Sequence, residues 1–126
     1  MAKKKIIRPT DAELKILRIL WKSGPSTVRQ VHQTVLTEKQ TSYNTTLKLL
    51  QIMHEKGIVT RDESQRPQIY RASHPEDKMQ QRLISDLLCR AFGGSARKLL
   101  AALTAANIPE KELVQIRKLL DKLGEE

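Results

Sequence analysis

The chain has 126 residues, of which 39% are hydrophobic and only 3% aromatic, so leucine and isoleucine must supply most of any core. This length suits one compact domain, or a small domain with an appendage. No run of about 18 apolar residues occurs, which excludes a membrane-spanning helix. The basic start MAKKKIIRPT lacks the apolar segment of a secretory signal, and the single Cys89 excludes an intrachain disulfide framework, so we expect a cytoplasmic protein.

The net charge of +9 is concentrated in the first part of the chain. Residues 1–74 contain 14 Lys and Arg against 6 Asp and Glu, a net charge of +8, whereas residues 75–126 contain 9 against 8, a net charge of +1. Concentrated positive charge favours a polyanionic partner, and we expect that partner to be nucleic acid. A membrane surface or a simple need for solubility would also account for the charge taken alone.

The first two helices are predicted by their caps and by apolar residues at helical spacing. The first begins after Thr10, which forms a capping box with Glu13, and it ends at Gly24. The second is the segment STVRQVHQTVLTEK, which either Ser26 or Thr27 caps. The polar turn TEKQTS then leads to a third helix.

The third predicted helix, YNTTLKLLQIMHEK, is capped by Ser42 and ended by Gly57. Residues at helical spacing give it one face that we expect to be buried: Thr46, Leu49, Leu50 and Met53. The opposite face carries Asn44, Leu47, Lys48, Gln51 and Glu55. A polar face with one leucine near its front indicates a surface that contacts a partner.

After Gly57 the sequence changes to the pattern of two short strands, IVTRD and QIYRA, joined by the turn ESQRP. Two strands of this length are not stable alone, so they must pack on the helices, with Ile58, Ile69 or Tyr70 turned inward. Three helices followed by a hairpin predict a mainly α fold of the winged helix-turn-helix type. We therefore expect residues 1–74 to form a winged-helix DNA-binding domain.

Residues 75–126 are predicted to form a tail of three amphipathic helices, of which the first is capped by Ser73 with Glu76. Short helices with leucine-rich faces cannot bury those faces in one copy, so the tail predicts a homodimer. A single six-helix monomer with the tail folded back is the alternative. The expected dimer-interface residues are Leu83, Leu87, Leu88, Leu99, Leu100, Leu103, Leu113, Ile116, Leu120 and Leu123.

The third helix is expected to read DNA, because a helix fits the major groove with its N-terminal residues at base edges. The base-reading residues we expect are Tyr43, Asn44, Thr45, Leu47 and Lys48. Asn44 can bond adenine bidentately, Lys48 can reach guanine or a phosphate, and Leu47 can meet a thymine methyl or be an ordinary surface leucine. Backbone contacts are expected from Arg29, Ser42, Gln51, Arg61, Arg66 and Arg71, and from a basic arm of Lys3, Lys4 and Lys5.

No catalytic or metal-binding pattern is present in the sequence, so we expect neither an enzyme nor a cofactor. The three histidines, His32, His54 and His74, lie on different elements and follow no ligand spacing. His54, at the edge of the buried stripe, is expected to be a packed histidine. Cys89 lies among leucines and alanine and is expected to be a small apolar residue rather than a redox sensor.

Three segments carry a resemblance to the BlaI/MecI penicillinase-repressor family: LWKSGPSTVRQV, YNTTLKLLQIMHEKGIVTR and the wing strand QIYRA. The tail also looks like the dimerisation region of that family. The resemblance implies a homodimeric winged-helix repressor of a palindromic operator, in a family that often controls β-lactam resistance. In the members that control β-lactam resistance, a membrane-bound sensor protease transmits the inducing signal, and the repressor is cut at an Asn-Phe bond.

That bond would lie near Ala101-Ala102 in this chain, where neither residue matches, so induction by the same cut does not follow from the resemblance. The ending KLLDKLGEE lacks the paired cysteines of a copper-responsive branch, so copper sensing does not follow either. Asn44 and Leu47 stand where some relatives have Lys and Arg, so a different operator sequence is expected.

The function predicted from the sequence is therefore a homodimeric, sequence-specific repressor that binds double-stranded DNA, with a sensor protease as a further partner implied by the resemblance. A protein-interaction or architectural winged-helix module without sequence readout is the alternative. A regulator that holds a small ligand between its tail helices is a third hypothesis, although no polar cluster in the tail favours it.

Overall fold

The computed structural model describes residues 8–124, so the basic arm of Lys3, Lys4 and Lys5 lies outside the described residues. The elements are α1 (Asp11–Ser23), α2 (Val28–Leu36), α3 (Tyr43–Lys56), β1 (Val59–Asp62), β2 (Ile69–Ala72), α4 (Glu76–Phe92), α5 (Ala96–Ala105) and α6 (Glu110–Gly124). Three helices, a hairpin wing and three further helices confirm the mainly helical winged-helix prediction. None of the helices within the described residues is long and apolar enough to cross a membrane.

The predicted caps of the first two helices form as local chemistry dictates. Glu13 N donates to Thr10 Oγ1 at 3.2 Å, and Thr10 N donates to Glu13 Oε1 at 3.0 Å, which completes the capping box of α1. Thr27, not Ser26, caps α2, with Gln30 as its capping-box partner. Both arrangements satisfy backbone N–H groups that a helix start leaves without partners.

The ends of α3 also follow the prediction. Ser42 Oγ accepts a hydrogen bond from Thr45 N at 3.1 Å and so caps the start of the helix. Gly57 ends it in the left-handed region, at φ 84° and ψ 10°, a conformation that favours glycine. The two residues that flank α3 therefore set where the helix begins and ends.

The wing is a two-stranded antiparallel sheet in which Val59 pairs with Ala72 and Arg61 with Tyr70. Ser26, between α1 and α2, adds an isolated bridge to the other side of β2. Its N–H donates to Tyr70 O at 2.9 Å and its carbonyl accepts from Tyr70 N at 2.8 Å. The short hairpin is thus tied to the helical layer through its second strand.

The core lies in the winged-helix part of the chain. Its buried members come from α1, α2, α3, the wing and the start of α4: Ile16, Leu17, Leu20, Val28, Val31, Leu50, Met53, Ile58, Val59, Tyr70 and Met79. Three side chains of the hairpin segment were expected to face the core. Ile58 and Tyr70 are buried, and Ile69 is half-buried. The wing therefore shares one core with the helices, as strands of this length require.

The chain divides into two compact units, and the division falls between Ile84 and Ser85. The first turns of α4 belong to the first unit, because Met79 is only 2% exposed within its core. The predicted cap of α4 is wrong, since the hydroxyl of Ser73 is buried and has no hydrogen-bond partner within the described residues. The backbone N–H of Ser73 donates instead to Ile58 O at 3.0 Å, which ties this residue to the wing.

The second unit contains no buried residue between Ser85 and Lys122. Of the expected interface residues, Leu87, Leu100 and Leu120 are exposed, and most of the others are half-buried. Leu83 lies in the first unit, where it packs against the core, and the side chain of Leu123 is outside the described part. One copy therefore leaves much of the apolar surface of these helices in water.

Candidate nucleic-acid interface

The first turn of α3 presents the residues expected to read bases. Tyr43 is 46% exposed, and the side chains of Asn44, Thr45 and Lys48 are also exposed. The Ser42 hydroxyl lies 2.9 Å from Thr45 Oγ1, so this pair makes a local hydrogen bond at the start of the helix. The structure therefore brings four of the five expected base-reading side chains to the surface near one helix end.

Leu47 differs from the expectation of an exposed residue, because it is half-buried and packs against the core of the first unit. Its neighbours on the same face of α3 are exposed: Asn44, Lys48, Gln51 and Glu55. Leu47 is thus partly a packing residue, and its contact with a thymine methyl stays a prediction.

A depression of about 320 Å³ lies between α3, the start of α2 and the wing. It is lined by Thr27, Val28, Arg29, Tyr43, Leu47, Gln51, Arg66, Pro67, Gln68 and Tyr70. Arg29 and Arg66 are both exposed at this depression, and within residues 8–124 neither forms an ion pair. The fold therefore brings together two cations from distant parts of the sequence, which can contact a polyanion backbone beside α3.

Arg61 is held differently from these two cations. Its Nη2 lies 2.7 Å from Glu63 Oε2, and its Nε donates to the same oxygen at 3.0 Å. A hydrogen bond with the Tyr70 side chain and the bond to Glu63 raise the pKa of the Arg61 guanidinium above its usual value. The charge of Arg61 is thus already matched by a carboxylate, and a phosphate would have to compete with Glu63.

The remaining wing carboxylate, Asp62, is organised by the turn. Its Oδ1 accepts from the Ser64 hydroxyl at 2.6 Å and from Ser64 N at 3.0 Å, and Gln65 donates to Oδ2. These bonds, with the Ser64 hydroxyl as the largest cause, hold the pKa of Asp62 below its usual value. Arg71 is exposed on β2, and its positive charge also lowers the pKa of Asp62. The charge of Arg71 is therefore partly offset by the Asp62 carboxylate.

A second depression, of about 850 Å³, lies in the first unit between α1, the end of α2 and the first half of α3. Half-buried apolar side chains, including Trp21, Val35 and Leu49, contribute to its lining. Charges of both signs surround them, among them Lys22 and Glu76, so the charge of this depression indicates no particular ligand.

No metal centre is indicated in the described part of the chain, where no three His, Cys, Asp or Glu side chains come together in a way that could hold an ion. Cys89 is exposed and is not the enclosed apolar residue that its leucine neighbours suggested. Exposure alone does not make a thiol reactive, because the thiolate must also be stabilised.

Sequence reasoning missed His32 as part of this surface. Its Nδ1 lies 2.9 Å from Thr46 Oγ1, and its ring meets the Tyr43 ring edge-on, with centroids 5.7 Å apart and planes at 82°. The only signal in the sequence was a single histidine on the helix before α3. A lone histidine at no ligand spacing did not identify either contact.

A helix-turn-helix followed by a hairpin wing, with cations beside an exposed polar third helix, defines a winged-helix protein, an architecture that suits DNA binding. The chain matches the penicillinase repressor family over residues 9–122. It is also similar to two proteins named transcriptional regulator BlaI, from Mycobacterium tuberculosis strains CDC 1551 / Oshkosh and ATCC 25618 / H37Rv. Each is 27% identical over 120 residues, which cover 94% of this chain and 87% of the relative.

The chain therefore belongs to the penicillinase repressor family, a family of transcriptional repressors and not of enzymes. The match extends through the tail as well as the wing, so the resemblance found in the sequence is confirmed over nearly the whole chain.

Proposed function

We propose that this protein is a homodimeric, sequence-specific repressor of a palindromic operator. The observation that carries the proposal is the surface around α3, where exposed Asn44 and Lys48 lie on the helix and Arg29 and Arg66 lie at the depression beside it. Cations beside the helix can position the protein on phosphates while the helix reads base edges in the major groove. The family to which the chain belongs supports DNA as the partner.

Base reading is assigned to Tyr43, Asn44, Thr45, Leu47 and Lys48. Backbone contacts are assigned to Arg29, Ser42, Gln51, Arg66 and Arg71, and to Arg61 once a phosphate replaces Glu63 as its partner. The exposed amide of Asn44 has the donor and acceptor needed for a bidentate bond to adenine.

Dimerisation is assigned to the tail. The absence of any buried residue from Ser85 to Lys122 supports this, because leucine-rich helices gain little stability while their apolar faces stay in water. Most soluble homo-oligomers are two-fold symmetric, and two copies of one winged helix would read two half-sites. We therefore expect residues 75–126 to act mainly in dimerisation.

The regulated genes that we propose are those for β-lactam resistance or a related stress response, since the chain belongs to the penicillinase repressor family. A sensor protease is included among the proposed partners, without a bond assigned to it. Ala101 and Ala102 are exposed on α5 but do not form the Asn-Phe bond that the resemblance would require.

The test is a selection of bound duplexes from a random pool by the purified chain at moderate salt. Enrichment of a two-fold palindrome, with half-sites about one helical turn apart, would support a dimeric sequence-specific repressor. Binding without enrichment would favour an architectural module held by charge. No retained DNA would favour a module that docks another protein.

A further inference from the structure

Two residues of α3 are contacted by one side chain of α2. His32 is half-buried, and its Nδ1 lies 2.9 Å from the hydroxyl of Thr46 while its ring lies edge-on to the Tyr43 ring. Tyr43 and Thr46 are three residues apart, so they lie on adjacent turns of the same helix face. His32 therefore fixes both a buried residue and an exposed residue of the recognition helix from outside that helix.

The hydrogen bond to Thr46 anchors the imidazole ring of His32. Thr46 is only 1% exposed, and within the described residues His32 is the partner of its hydroxyl. A buried hydroxyl needs a hydrogen-bond partner, and Nδ1 supplies one whichever of the two atoms donates.

The ring contact acts on the residue at the front of the helix. Tyr43 is 46% exposed and lines the depression that also holds Arg29 and Arg66. An exposed aromatic side chain loses rotamer freedom when it is fixed against DNA, and an edge-on neighbour in the free protein reduces that loss. The orientation of Tyr43 is thus set before DNA arrives.

We propose that His32 is a positioning residue for DNA recognition, which orients Tyr43 through its ring and anchors itself through the Thr46 hydroxyl. This inference rests on the proposed function, because it assigns a role within the same interface. His32 sets the affinity and the base preference of the half-site position next to Tyr43 without itself reading a base.

Two substitutions separate the two contacts. His32→Phe keeps an aromatic ring beside Tyr43 and removes the hydrogen-bond partner of Thr46, whereas His32→Asn keeps a polar side-chain atom near the Nδ1 position and removes the ring. Gln33→Ala, at an exposed position of the same helix, is the matched control. Thermal unfolding of each full-length variant shows whether it is folded before DNA binding is compared.

For DNA binding, we expect His32→Asn to weaken operator affinity about tenfold, the scale of one lost positioning contact. It should also broaden the base preference at one position of each half-site in a repeated selection. In a Tyr43→Ala background the same substitution should have no further effect, because its role passes through Tyr43. Equal losses in both backgrounds, or unchanged affinity in a folded variant, would overturn the proposal.

A measurement on the free protein keeps the test independent of the operator. NMR of the Tyr43 ring in the free wild-type chain and in the two His32 variants measures the ring contact without DNA. Ring resonances of Tyr43 should shift in His32→Asn and stay close to wild type in His32→Phe. A Tyr43 spectrum that His32→Asn leaves unchanged would overturn the positioning role even if the protein binds its operator. If these NMR results hold but the wild-type chain enriches no operator, the proposed function fails while the ring contact stands.

Discussion

The ammonium group of Lys56, in the last turn of α3, lies 2.8 Å and 3.0 Å from the two carboxylate oxygens of Glu13, in the first turn of α1. The Glu13 side chain is 3% exposed, and it also accepts the backbone N–H of Thr10. One buried carboxylate thus caps α1 and joins it to the end of α3.

Lys56→Ala should lower the free energy of unfolding by about 2 kcal/mol, because it leaves the Glu13 carboxylate buried and without its cation. The value lies below that for a fully enclosed pair, since the lysine side chain is 36% exposed. Lys15→Ala, at an exposed position of α1, is the control and should change stability little. Urea unfolding compares the two, and equal midpoints would contradict the role of the pair.

Asn44→Ala should relax specificity at one base pair of each half-site by about 1–3 kcal/mol, because a bidentate amide contact to adenine is lost. Binding to mismatched duplexes should change much less than binding to the selected operator. The measurement is a titration of both duplexes with each protein, and Gln81→Ala on α4 is the matched control. Equal weakening on both duplexes would show that Asn44 does not read a base.

Arg66→Ala should weaken binding to all sequences and reduce the slope of log K against log salt by about 0.9, the effect of one phosphate contact.

Arg61→Ala should have a smaller effect on this slope than Arg66→Ala, because Glu63 already matches the charge of Arg61. Glu63→Gln should raise affinity, since it frees Arg61 for a phosphate. Glu110→Gln on α6 is the control for the loss of one negative charge, and equal gains in both variants would argue against the Arg61 contact.

Leu120→Asp should convert the proposed dimer to a monomer, because it places a charge on a leucine that is 45% exposed in one copy and is expected to be buried between two copies. Gln115→Asp, on the same helix but on another face, should leave the dimer intact. Sedimentation velocity measures the mass of each variant. A dimeric Leu120→Asp protein would place the interface elsewhere.

The parts of the fold that the sequence predicted are those governed by neighbouring residues. The capping box of Thr10 and Glu13, the cap at Ser42 and the stop at Gly57 depend on groups within a few positions, so spacing alone defines them. The choice between Ser26 and Thr27 stayed open in the sequence. Ser26 instead pairs through its backbone with Tyr70, a contact that no local pattern encodes.

The sequence predicted some features of the candidate site and missed others, for the same reason. Exposure of Asn44 and Lys48 follows from helical periodicity, because their positions lie away from the buried stripe. The half-burial of Leu47 does not, since it depends on how closely the rest of the first unit packs beside α3. Likewise, Ser73 had the sequence of a cap but is held against the wing.

By itself, the sequence determined the type and order of the elements and the basic character of the first part, because periodicity, caps and charge are properties of the chain. Its motifs carried the resemblance to the family, which the match over residues 9–122 confirms. Only the tertiary structure decided which distant groups meet. His32 and Thr46 are 14 residues apart, Glu13 and Lys56 are 43 apart, and the Trp21 indole donates to a carbonyl 53 residues away, at His74. Such partners are selected by the packing of whole helices, which sets distances that no local spacing specifies.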